Sequence, residues 1–534
     1  MDSSSSSLEI LIPTFCVILI IYFIPKLRQI LLLRRKKLPY PPGPKPWPVV
    51  GNLPHLGMAV HQSLAAMAKT YGPIIYLRLG SVDVVVAYSA SIASQFLKTH
   101  DSNFSSRPPN SGAKYIAYNN QDFVFAPYGR RWRMFRKICA VHLFSGKALD
   151  EFQYVRQEEV AVLTKVLAQS SKNSKSNPVK LTDLLTVCIT NALSRVLLGT
   201  RVCGDGEGFA DEKSQDFKNM IAEIMVLAGV FNIGDFIPSL EWLDLQGIAS
   251  KMKNIHQRFD AFLTKIIDDH NKINAASNEK GNGSKKSDFL SKLIGYKEED
   301  VDGGEWKLTD TEIKALLLNL FTAGTDTSTS TVEWTLAELI RHPNILAQAQ
   351  QELDSIVGKD RLVSESDLSR LPFLHAVTKE AFRLHPSTPL SLPRVSAEDC
   401  EIDGYFIPKN TTLLTNIWAI ARDPSMWPDP LKFKPERFLP GNEKANVDIK
   451  GNDFEVIPFG AGRRICAGMS LGLRMVQFMT ASLIHGFNWE LSEGQVIENL
   501  NMDEAYGLGL SRASPLMVHP KPRLEAHVYS AIKF

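Results

Sequence analysis

Residues 459–468 read FGAGRRICAG, and the stretch SLGLRMVQFMTASLIHGF follows at residues 470–487. The second stretch is apolar on nearly every face, so it predicts a buried helix, which we expect to begin at Cys466. The N–H groups at a helix N-terminus favour an anion and lower the pKa of a thiol, and glycines on both sides permit close backbone approach to a flat ligand. A lone buried cysteine is usually an inert core residue. The Phe459, glycines and Arg464 at fixed spacing indicate a metal-binding thiolate instead.

A second long helix is delimited by its own end signals. Thr309 and Glu312 match a capping box, and Arg341-His342-Pro343 closes the far end, so the pattern predicts a helix of about 30 residues. Its middle, AGTDTST at residues 323–329, consists of poor helix formers. A bend caused by the Ser and Thr side chains is the structural explanation. We favour a functional one.

The rest of the body is predicted to be mainly helical. Helical periodicity dominates, whereas the strand-like runs IIYLRL (74–79) and VDVVVAYS (82–89) lie near the start. No internal repeat or change of composition divides residues 53–534, so we expect one domain of the mainly α class with a small β-rich part.

Charge and cysteine content exclude two classes of function. The net charge is +3, but six basic and two acidic residues precede position 38, which leaves the body close to −1. Nucleic-acid binding requires a broad basic surface, so we discard it. The six cysteines include no close pairs, and neither a disulfide framework nor a CxxC zinc site is predicted.

The first 52 residues predict a membrane anchor and a linker. The run ILIPTFCVILIIYFIP (10–25) carries no charge, and ILLL follows at 30–33. We predict an anchor over residues 1–33 and a basic, proline-rich linker over 34–52. A cleaved signal peptide is the alternative, but the positive charges follow the apolar run and no small-residue cleavage site stands behind it. The basic run at 34–37 predicts a single pass with the body in the cytosol.

The motif F-x-x-G-x-R-x-C-x-G at residues 459–468 resembles the signature of the cytochrome P-450 superfamily, and the likeness extends from about residue 38 to the C-terminus. It implies the cytochrome P-450 fold and a haem b cofactor. By this resemblance Cys466 is the axial ligand of the haem iron, and its thiolate favours O–O cleavage. Phe459 packs beside the ligand, Gly462 belongs to the cofactor-binding loop, and Arg464 pairs with a haem propionate.

Other positions match the same superfamily. Trp132 and Arg136 fit a W-x-x-x-R pattern at the haem propionates, although an amphipathic helix gives the same spacing, and Arg394 matches a further propionate contact. Glu380 and Arg383 lie three residues apart on one helix face. The resemblance adds Arg437 as their third partner, which completes a structural ion-pair network.

The resemblance also gives the AGTDTS segment a role. It places this segment over the haem, where Gly324 permits close approach and Asp326 with Thr327 deliver the protons that oxygen activation consumes. The chain has no flavin or dinucleotide fingerprint, so electrons from NADPH must arrive through a separate reductase. A basic cluster, which is equally explained as a solvated face, is a candidate docking site for it: Arg130, Arg131, Arg133 and Lys137.

Within the superfamily the chain is most similar to plant flavonoid 3′-hydroxylases. The similarity is carried by stretches such as FAPYGRRWRMFRKICAVHLFS (125–145) and FTAGTDTSTSTVEW (321–334). One departure is Gly509 in AYGLGL (505–510), where that group usually has Thr in a substrate-facing loop. The resemblance predicts these residues in the substrate pocket: Ser111, Phe231, Thr388, Leu390 and Gly509.

The implied activity is 3′-hydroxylation of the flavonoid B-ring at the cytosolic face of the endoplasmic reticulum membrane. Because Gly509 removes a side chain, 5′-hydroxylation of a 3′-substituted flavonoid such as chrysoeriol is the serious alternative. A haem sensor or electron carrier without turnover is a remote one. The Asp326-Thr327 pair argues against it, because a sensor needs no proton relay.

Overall fold

The computed structural model describes residues 38–171, 177–204, 212–279, 288–298, 307–492 and 494–530. The predicted anchor lies outside these residues. The helices are α1 (Val60–Tyr71), α2 (Ala90–Ser94), α3 (Arg130–Cys139), α4 (Gly146–Glu151), α5 (Gln153–Ser170), α6 (Leu181–Leu198), α7 (Glu212–Gly229), α8 (Ile233–Phe236), α9 (Ile248–Glu279), α10 (Phe289–Glu298), α11 (Asp310–Arg341), α12 (Pro343–Ile356), α13 (Pro372–Leu384), α14 (Ile417–Ile420), α15 (Met469–Gly486) and α16 (Ala526–Ser530).

Short strands form small sheets, as the mainly α prediction requires. They are β1 (Ile74–Leu79), β2 (Val82–Ala87), β3 (Val179–Lys180), β4 (Arg394–Val395), β5 (Cys400–Ile402), β6 (Tyr405–Ile407), β7 (Thr412–Thr415), β8 (Phe487–Leu491), β9 (Glu504–Tyr506), β10 (Leu510–Arg512) and β11 (Met517–Pro522). The largest described sheet has the order β1-β2-β7-β4, in which β2 and β7 are parallel and the other pairs antiparallel. Both strand-like runs read from the sequence are therefore confirmed as β1 and β2.

The long helix α11 forms the centre of the body. Thr309 accepts the amide hydrogen of Glu312, the Glu312 carboxylate accepts the Thr309 N–H, and the helix continues for 32 residues to Arg341, which confirms both predicted ends. The hydroxyl groups of Thr322, Thr327 and Thr331 each donate to the carbonyl four residues earlier, at 2.7 to 2.8 Å. These bonds satisfy the hydroxyls inside the helix, so the Thr-rich middle stays helical.

Two apolar clusters surround α11 and leave a cavity at its middle. One joins its C-terminal half to α5, α13 and α15, and the other joins its N-terminal half to α3, α7 and α9. The helix lies against α6 along much of its length. Burial of Phe321 and Trp334, both with no exposed surface, anchors it on either side of the polar segment 323–329.

The helix after the cysteine motif begins later than predicted. Residues Gly462–Arg464 form a 3-10 turn, and Ile465 then takes an extended ψ of 145°. Helix α15 therefore begins at Met469 with Gly468 as its N-cap, and the predicted start at Cys466 is wrong. Cys466 lies in the loop before the helix, so its backbone takes no part in the hydrogen bonds of α15.

The described part of the linker packs on the body. Pro42 accepts a hydrogen bond from the Tyr76 N–H at 2.9 Å, and Pro39 accepts one from Phe406 N–H at 2.8 Å. A side chain at Gly43 would collide with the Tyr76 carbonyl oxygen, so only glycine fits this close approach to β1. Residues 39–44 thus form an extra layer on the β-rich part.

Two described stretches are long and apolar enough to cross a membrane: Leu181–Leu198 and Gln215–Phe236. The first is α6, which is mostly buried against α11 and belongs to the core of the body. The second contains most of α7 and all of α8. Neither coincides with the predicted anchor.

Candidate active site

The loop of residues 459–468 folds back so that Cys466 faces the central cavity. The Cys466 N–H donates to the Phe459 carbonyl at 3.0 Å, which closes the loop. Gly460 has a φ of +69° and lines the cavity, and a Cβ there would meet nothing within 4 Å. The wall beside the cysteine is therefore open enough for a flat group to approach the backbone.

At Gly462 glycine is required by close packing of the loop. Its φ is also +69°, but a Cβ would lie 2.3 Å from the Leu97 carbonyl oxygen and 2.4 Å from Asp101 Oδ1. Gly462 is absent from the cavity wall. The glycine therefore permits the loop to pack against residues 97–101, which follow α2, and it has no direct contact with the cavity.

Protein surrounds Cys466 on all sides, yet its side chain is exposed because it lines an internal cavity of about 360 Å³. Burial raises the pKa of its thiol, while the Gly468 N–H and the Arg136 guanidinium act in the opposite direction. The N-cap Gly468 of α15 thus acts in the predicted direction, but burial outweighs it and the predicted net lowering of the pKa is not found. A metal ion is the partner that would stabilise the thiolate here.

Five arginines line the same cavity. Arg156 is paired with Glu365, and the other four converge on one edge: Arg107, Arg136, Arg394 and Arg464. Arg464 donates to the carbonyls of Ser105 and Ala126, at 2.6 and 2.5 Å, but its buried Nη1 has no partner among the described residues. Arg394 donates to the Ala461 carbonyl at 2.7 Å. The pKa of both side chains is lowered to about 10, chiefly by burial, and the positive charge of Arg394 contributes to the lowering at Arg464.

The acidic side chains near this cluster do not balance it. Asp101 lies 3.3 Å from Arg394 but also binds Arg463 on the outer side. Asp122 is fully buried, and burial raises its pKa to about 6. Buried like charges are costly unless an anion pairs with them, so the cluster favours a ligand with negative groups at this edge of the cavity.

Trp132 completes this edge. It lines the cavity from α3, and the Arg464 guanidinium lies 4.6 Å from its ring centroid. Arg136, one turn along the same helix, donates to the Ile465 carbonyl at 2.7 Å and so holds the cysteine loop. The predicted pairing of Trp132 and Arg136 on one face of a helix is thus what brings both to the cavity.

These features fit an iron porphyrin. A thiol at one wall, an open glycine surface beside it and unneutralised guanidinium groups at one edge match an iron ligand, a flat ring and carboxylate substituents. The orphaned Nη1 of Arg464 is the most specific of these observations, because a buried donor ordinarily has a partner. The residues present therefore fit the haem that the sequence implies.

Thr327 and Asp326 lie in the polar middle of α11, which borders the same cavity. Thr327 lines the cavity, with Ala323 and Gly324 beside it. A Cβ at Gly324 would lie 2.8 Å from Leu193 Cδ1, so this glycine also permits close packing on α6. Burial raises the pKa of Asp326 to about 6 and is its single resolved cause. A carboxyl group with this pKa exchanges protons near neutral pH.

The predicted ion-pair network is formed in full. Arg383 donates to both carboxylate oxygens of Glu380 at 2.8 Å, and Arg437 Nε lies 3.3 Å from Glu380 Oε1. Arg383 also donates to the carbonyls of Ala421 and Pro430. The network joins α13 to the segment before the cysteine loop, and all its charges are buried and paired.

The residues predicted to contact substrate do not all reach the cavity. Thr388 lines it. Ser111 donates instead to Asp235 Oδ1 at 2.6 Å, and Phe231 stacks on Phe236 with ring centroids 3.9 Å apart. Leu390 is buried with the apolar cluster of β1 and β2. Gly509 lies behind the wall, against Asp326, while its neighbour Leu508 lines the cavity.

Sequence reasoning missed two features of the site. Arg107 donates to the carbonyls of Val124, Leu392 and Pro393, and its only mark in the sequence is the following proline pair. Asn319 of α11 accepts the amide hydrogens of Phe123 and Val124 at 2.8 and 3.0 Å, which holds an apolar wall segment in place. A single polar residue in ALLLNLF was the available signal for Asn319.

Comparisons with known proteins agree with this geometry. The family model described as Cytochrome P450 matches residues 41–518. The chain is 67% identical to the flavonoid 3'-monooxygenase of Petunia hybrida, with 93% of this chain and 94% of that protein covered. It is 63% identical to the Arabidopsis thaliana flavonoid 3'-monooxygenase (92% and 93% covered) and 54% to a Crocosmia x crocosmiiflora flavonoid 3',5'-hydroxylase (93% and 94%). The chain therefore belongs to the cytochrome P450 family and is a haem-dependent monooxygenase that receives its electrons from a redox partner.

Proposed function

We propose that this protein hydroxylates the B-ring of flavonoids at the 3′ position. The observation that carries the proposal is the 67% identity, over nearly the whole body, to a protein named flavonoid 3'-monooxygenase. The cavity supports it, because its outer part is apolar and suits a flat phenolic ring. The apolar residues of this part come from α6, α7 and the loops around them: Ile116, Phe123, Leu193, Ile224, Met225 and Leu508.

In this proposal Cys466 binds the haem iron, and the guanidinium groups of Arg107, Arg394 and Arg464 hold the propionates with Trp132 and Arg136. When bound, the haem activates dioxygen with electrons from NADPH, so that one oxygen atom enters the substrate and the other leaves as water. The chain supplies the thiolate, the fixed edge and a cavity wall that excludes water. Phe459 contributes to that wall beside the ligand, where its ring lies 5.1 Å from that of Phe382.

The ligand assignment is tested by Cys466→His. We expect this variant to retain haem, because the arginines and the open glycine wall remain, but to lose the spectral signature that a thiolate ligand would give the carbon monoxide complex of the reduced protein. Cys139→Ala, which removes a buried thiol of the α3 cluster, is the control and keeps the signature. A thiolate signature in Cys466→His would assign the ligand to another cysteine.

The proton path is proposed to run through Asp326 and Thr327. The Thr327 hydroxyl donates to the Ala323 carbonyl at 2.7 Å, so its oxygen keeps lone pairs that can accept a proton on the cavity side. Asp326 precedes it on the same turn, and its pKa of about 6 lets it take up and release protons near neutral pH. Together they provide an acid and a relay at a wall that is otherwise apolar.

The second candidate is 5′-hydroxylation of a flavonoid that already carries a 3′ oxygen. It is favoured by the 54% identity to a 3',5'-hydroxylase. The identity to the two 3'-monooxygenases is higher, at 63 and 67%, and we therefore place 3′-hydroxylation first.

The test feeds apigenin, luteolin and chrysoeriol to the full-length protein in microsomes with a plant reductase and NADPH. We expect apigenin to give luteolin and the other two to remain unchanged. A product from luteolin or chrysoeriol would establish the second candidate. If none of the three flavonoids gives a product, in a preparation whose haem shows the thiolate signature, both candidate functions are contradicted.

We propose that the reductase docks on the outer face of α3. This helix turns Trp132 and Arg136 toward the cavity, and three basic residues lie exposed on its other side: Arg130, Arg133 and Lys137. Arg131 pairs with Glu312 at 2.9 Å. We expect Arg133→Glu to lower reductase-supported turnover, most strongly at low salt, while chemical reduction by dithionite is unchanged.

We also propose that residues 1–33 anchor the body to the cytosolic face of the endoplasmic reticulum membrane as a single pass. Exposed apolar side chains support this orientation, since Trp47, Trp242 and Leu245 are 60, 81 and 63% exposed. The segments that precede or follow them both adjoin the β1–β2 turn, because Gly51 pairs with Leu79 and the Ser81 N–H donates to the Phe236 carbonyl. Such a patch suits the boundary of a bilayer.

A further inference from the structure

The turn between β9 and β10 is held from three sides. The Leu508 N–H donates to the Met225 carbonyl of α7 at 3.3 Å, and the Leu510 N–H donates to the Ser387 carbonyl at 2.8 Å. The Leu510 carbonyl accepts hydrogen bonds from two α11 side chains, Ser330 at 2.7 Å and Trp334 at 3.2 Å. The backbone at residue 509 is therefore fixed relative to α11 and cannot retreat when a side chain is added.

At this fixed position a side chain would meet Asp326 first. A Cβ built on Gly509 would lie 2.8 Å from Asp326 Oδ2, whereas the next atoms, the Ser387 carbonyl oxygen and Met225 Cε, are 3.6 and 3.8 Å away. The last two are ordinary contacts and the first is too short. Because the turn is pinned and the carboxyl group ends a flexible side chain, Asp326 is the group that must move.

No charged neighbour fixes the Asp326 carboxyl group within the part of the chain that the structure describes. Burial is the one cause of its raised pKa, with no hydrogen bond or charge contributing. The titratable groups on the elements packed around it have partners of their own: Glu223 with Arg258, His385 with Glu338, Glu504 with His61, and Arg512 with the Asn501 carbonyl. The space left by Gly509 therefore decides where this carboxyl group can lie.

We propose that Gly509 is a positioning residue for Asp326, which gives the carboxyl group the room to take the orientation from which it passes protons to the cavity. Residue 509 then controls how much of the NADPH consumed ends in product. This differs from the pocket-width effect expected from the sequence, since Leu508 rather than Gly509 forms the wall. The inference rests on the proposed function, because it requires a substrate that the enzyme hydroxylates.

The experiment compares Gly509→Ala with Gly507→Ala in the full-length enzyme with reductase, NADPH and apigenin. Each variant adds one methyl group to the same turn at a residue whose φ is outside the left-handed region, and a Cβ at Gly507 meets nothing closer than 3.5 Å. We expect Gly509→Ala to lose about 10-fold in product formed per NADPH, with the balance appearing as hydrogen peroxide. The spin-state titration with apigenin and the site of hydroxylation should stay as in the wild type, and Gly507→Ala should behave as the wild type throughout.

A double-mutant cycle with Asp326→Asn identifies the route of the effect. If Gly509 acts through Asp326, Gly509→Ala changes coupling in the parent and changes nothing further in Asp326→Asn. Infrared spectra of the resting protein give a readout apart from turnover. At pH 5, below the pKa of about 6, the absorption of the protonated carboxyl group that Asp326→Asn removes should shift in Gly509→Ala and stay in place in Gly507→Ala.

Two results would overturn the inference. The first is additivity of Gly509→Ala and Asp326→Asn in the coupling measurement. The second is a Gly509→Ala variant that changes apigenin affinity or the site of hydroxylation while coupling and the infrared band stay at the wild-type values, which would assign Gly509 to pocket shape. Failure of the wild type to hydroxylate any flavonoid would be a different outcome, since it contradicts the proposed function before the variants are compared.

Discussion

Thr327 and Thr331 lie one turn apart in α11 and make the same hydrogen bond to the carbonyl four residues earlier. Only the first of these two hydroxyls lines the cavity. We expect Thr327→Ala to fold and bind substrate normally but to divert NADPH oxidation toward hydrogen peroxide, because the relay hydroxyl is gone. Thr331→Ala is the matched control. The measurement is the ratio of hydroxylated flavonoid to NADPH consumed.

Equal coupling in Thr327→Ala and Thr331→Ala would contradict a relay role for Thr327. It would mean that both hydroxyl groups serve the helix alone.

The raised pKa of Asp326 has a consequence for stability. Its pKa is about 6 in the folded protein and 3.8 ordinarily. The unfolded chain therefore loses this proton first, and the free energy of unfolding falls as pH rises from about 4 to 6 and stays lowered above that range. At pH 8 the full cost applies, and it is on the order of 2 to 3 kcal/mol of unfolding free energy. We expect Asp326→Asn to unfold at a higher denaturant concentration than wild type at pH 8. The difference should vanish near pH 4.

Denaturant unfolding of the holoenzyme, followed by tryptophan fluorescence at both pH values, checks this prediction. The exposed Asp268→Asn in α9 controls for loss of a surface charge and should leave the difference between pH values at the wild-type level. A destabilised Asp326→Asn at pH 8 would show that the ionised carboxylate makes a favourable contact.

At the scale of elements, Glu380 ties α13 to the segment that leads to the cysteine loop. Its carboxylate accepts hydrogen bonds from Arg383, Arg437 and the Lys434 N–H. Glu380→Gln would leave two buried guanidinium groups without their anion, and removal of one partner from a buried pair costs about 3 to 5 kcal/mol. We expect most of this variant to be recovered without haem, as measured by the Soret absorbance per unit of protein.

The matched control for this prediction is Glu443→Gln. Glu443 lies 4.0 Å from Arg437 at the rim of the same network and is half exposed, so its loss should cost little. Equal haem content in Glu380→Gln and wild type would show that the carbonyl contacts of the two arginines suffice.

Elements with end signals in the sequence were predictable, and those set by distant contacts were not. The bounds of α11 followed from a capping box and a terminal Arg-His-Pro, which are local. The predicted start of α15 was wrong because a 3-10 turn and an extended Ile465 precede the helix. No residue type in ICAG indicates either feature. Arg107 reaches the cavity through carbonyls at residues 124, 392 and 393, so its role depends on contacts far along the chain.

For the whole molecule, deletion of residues 1–33 should release much of the protein from membranes while the body still binds haem, because every cavity residue lies beyond Trp47. Residual membrane binding should remain, owing to the exposed apolar patch at Trp242 and Leu245. Sedimentation with anionic vesicles measures both effects. Trp242→Ser in the truncated protein should lower the residual binding further.

Loss of haem binding in a soluble, folded truncation would make the N-terminal segment part of the catalytic fold. If the truncated protein with Trp242 intact no longer binds vesicles at all, the proposed role of the exposed apolar patch is contradicted.

The four arginines at the cavity edge also bear on how much of this enzyme a cell can hold. They bring positive charges together inside the body, where the two carboxylates of haem would offset part of the repulsion. A chain translated faster than porphyrin and iron arrive would keep this repulsion and populate open states that proteases degrade. We expect the steady-state level of the protein to follow the cofactor supply of the tissue rather than its messenger RNA, so that the haem pathway sets an upper limit on flavonoid hydroxylation.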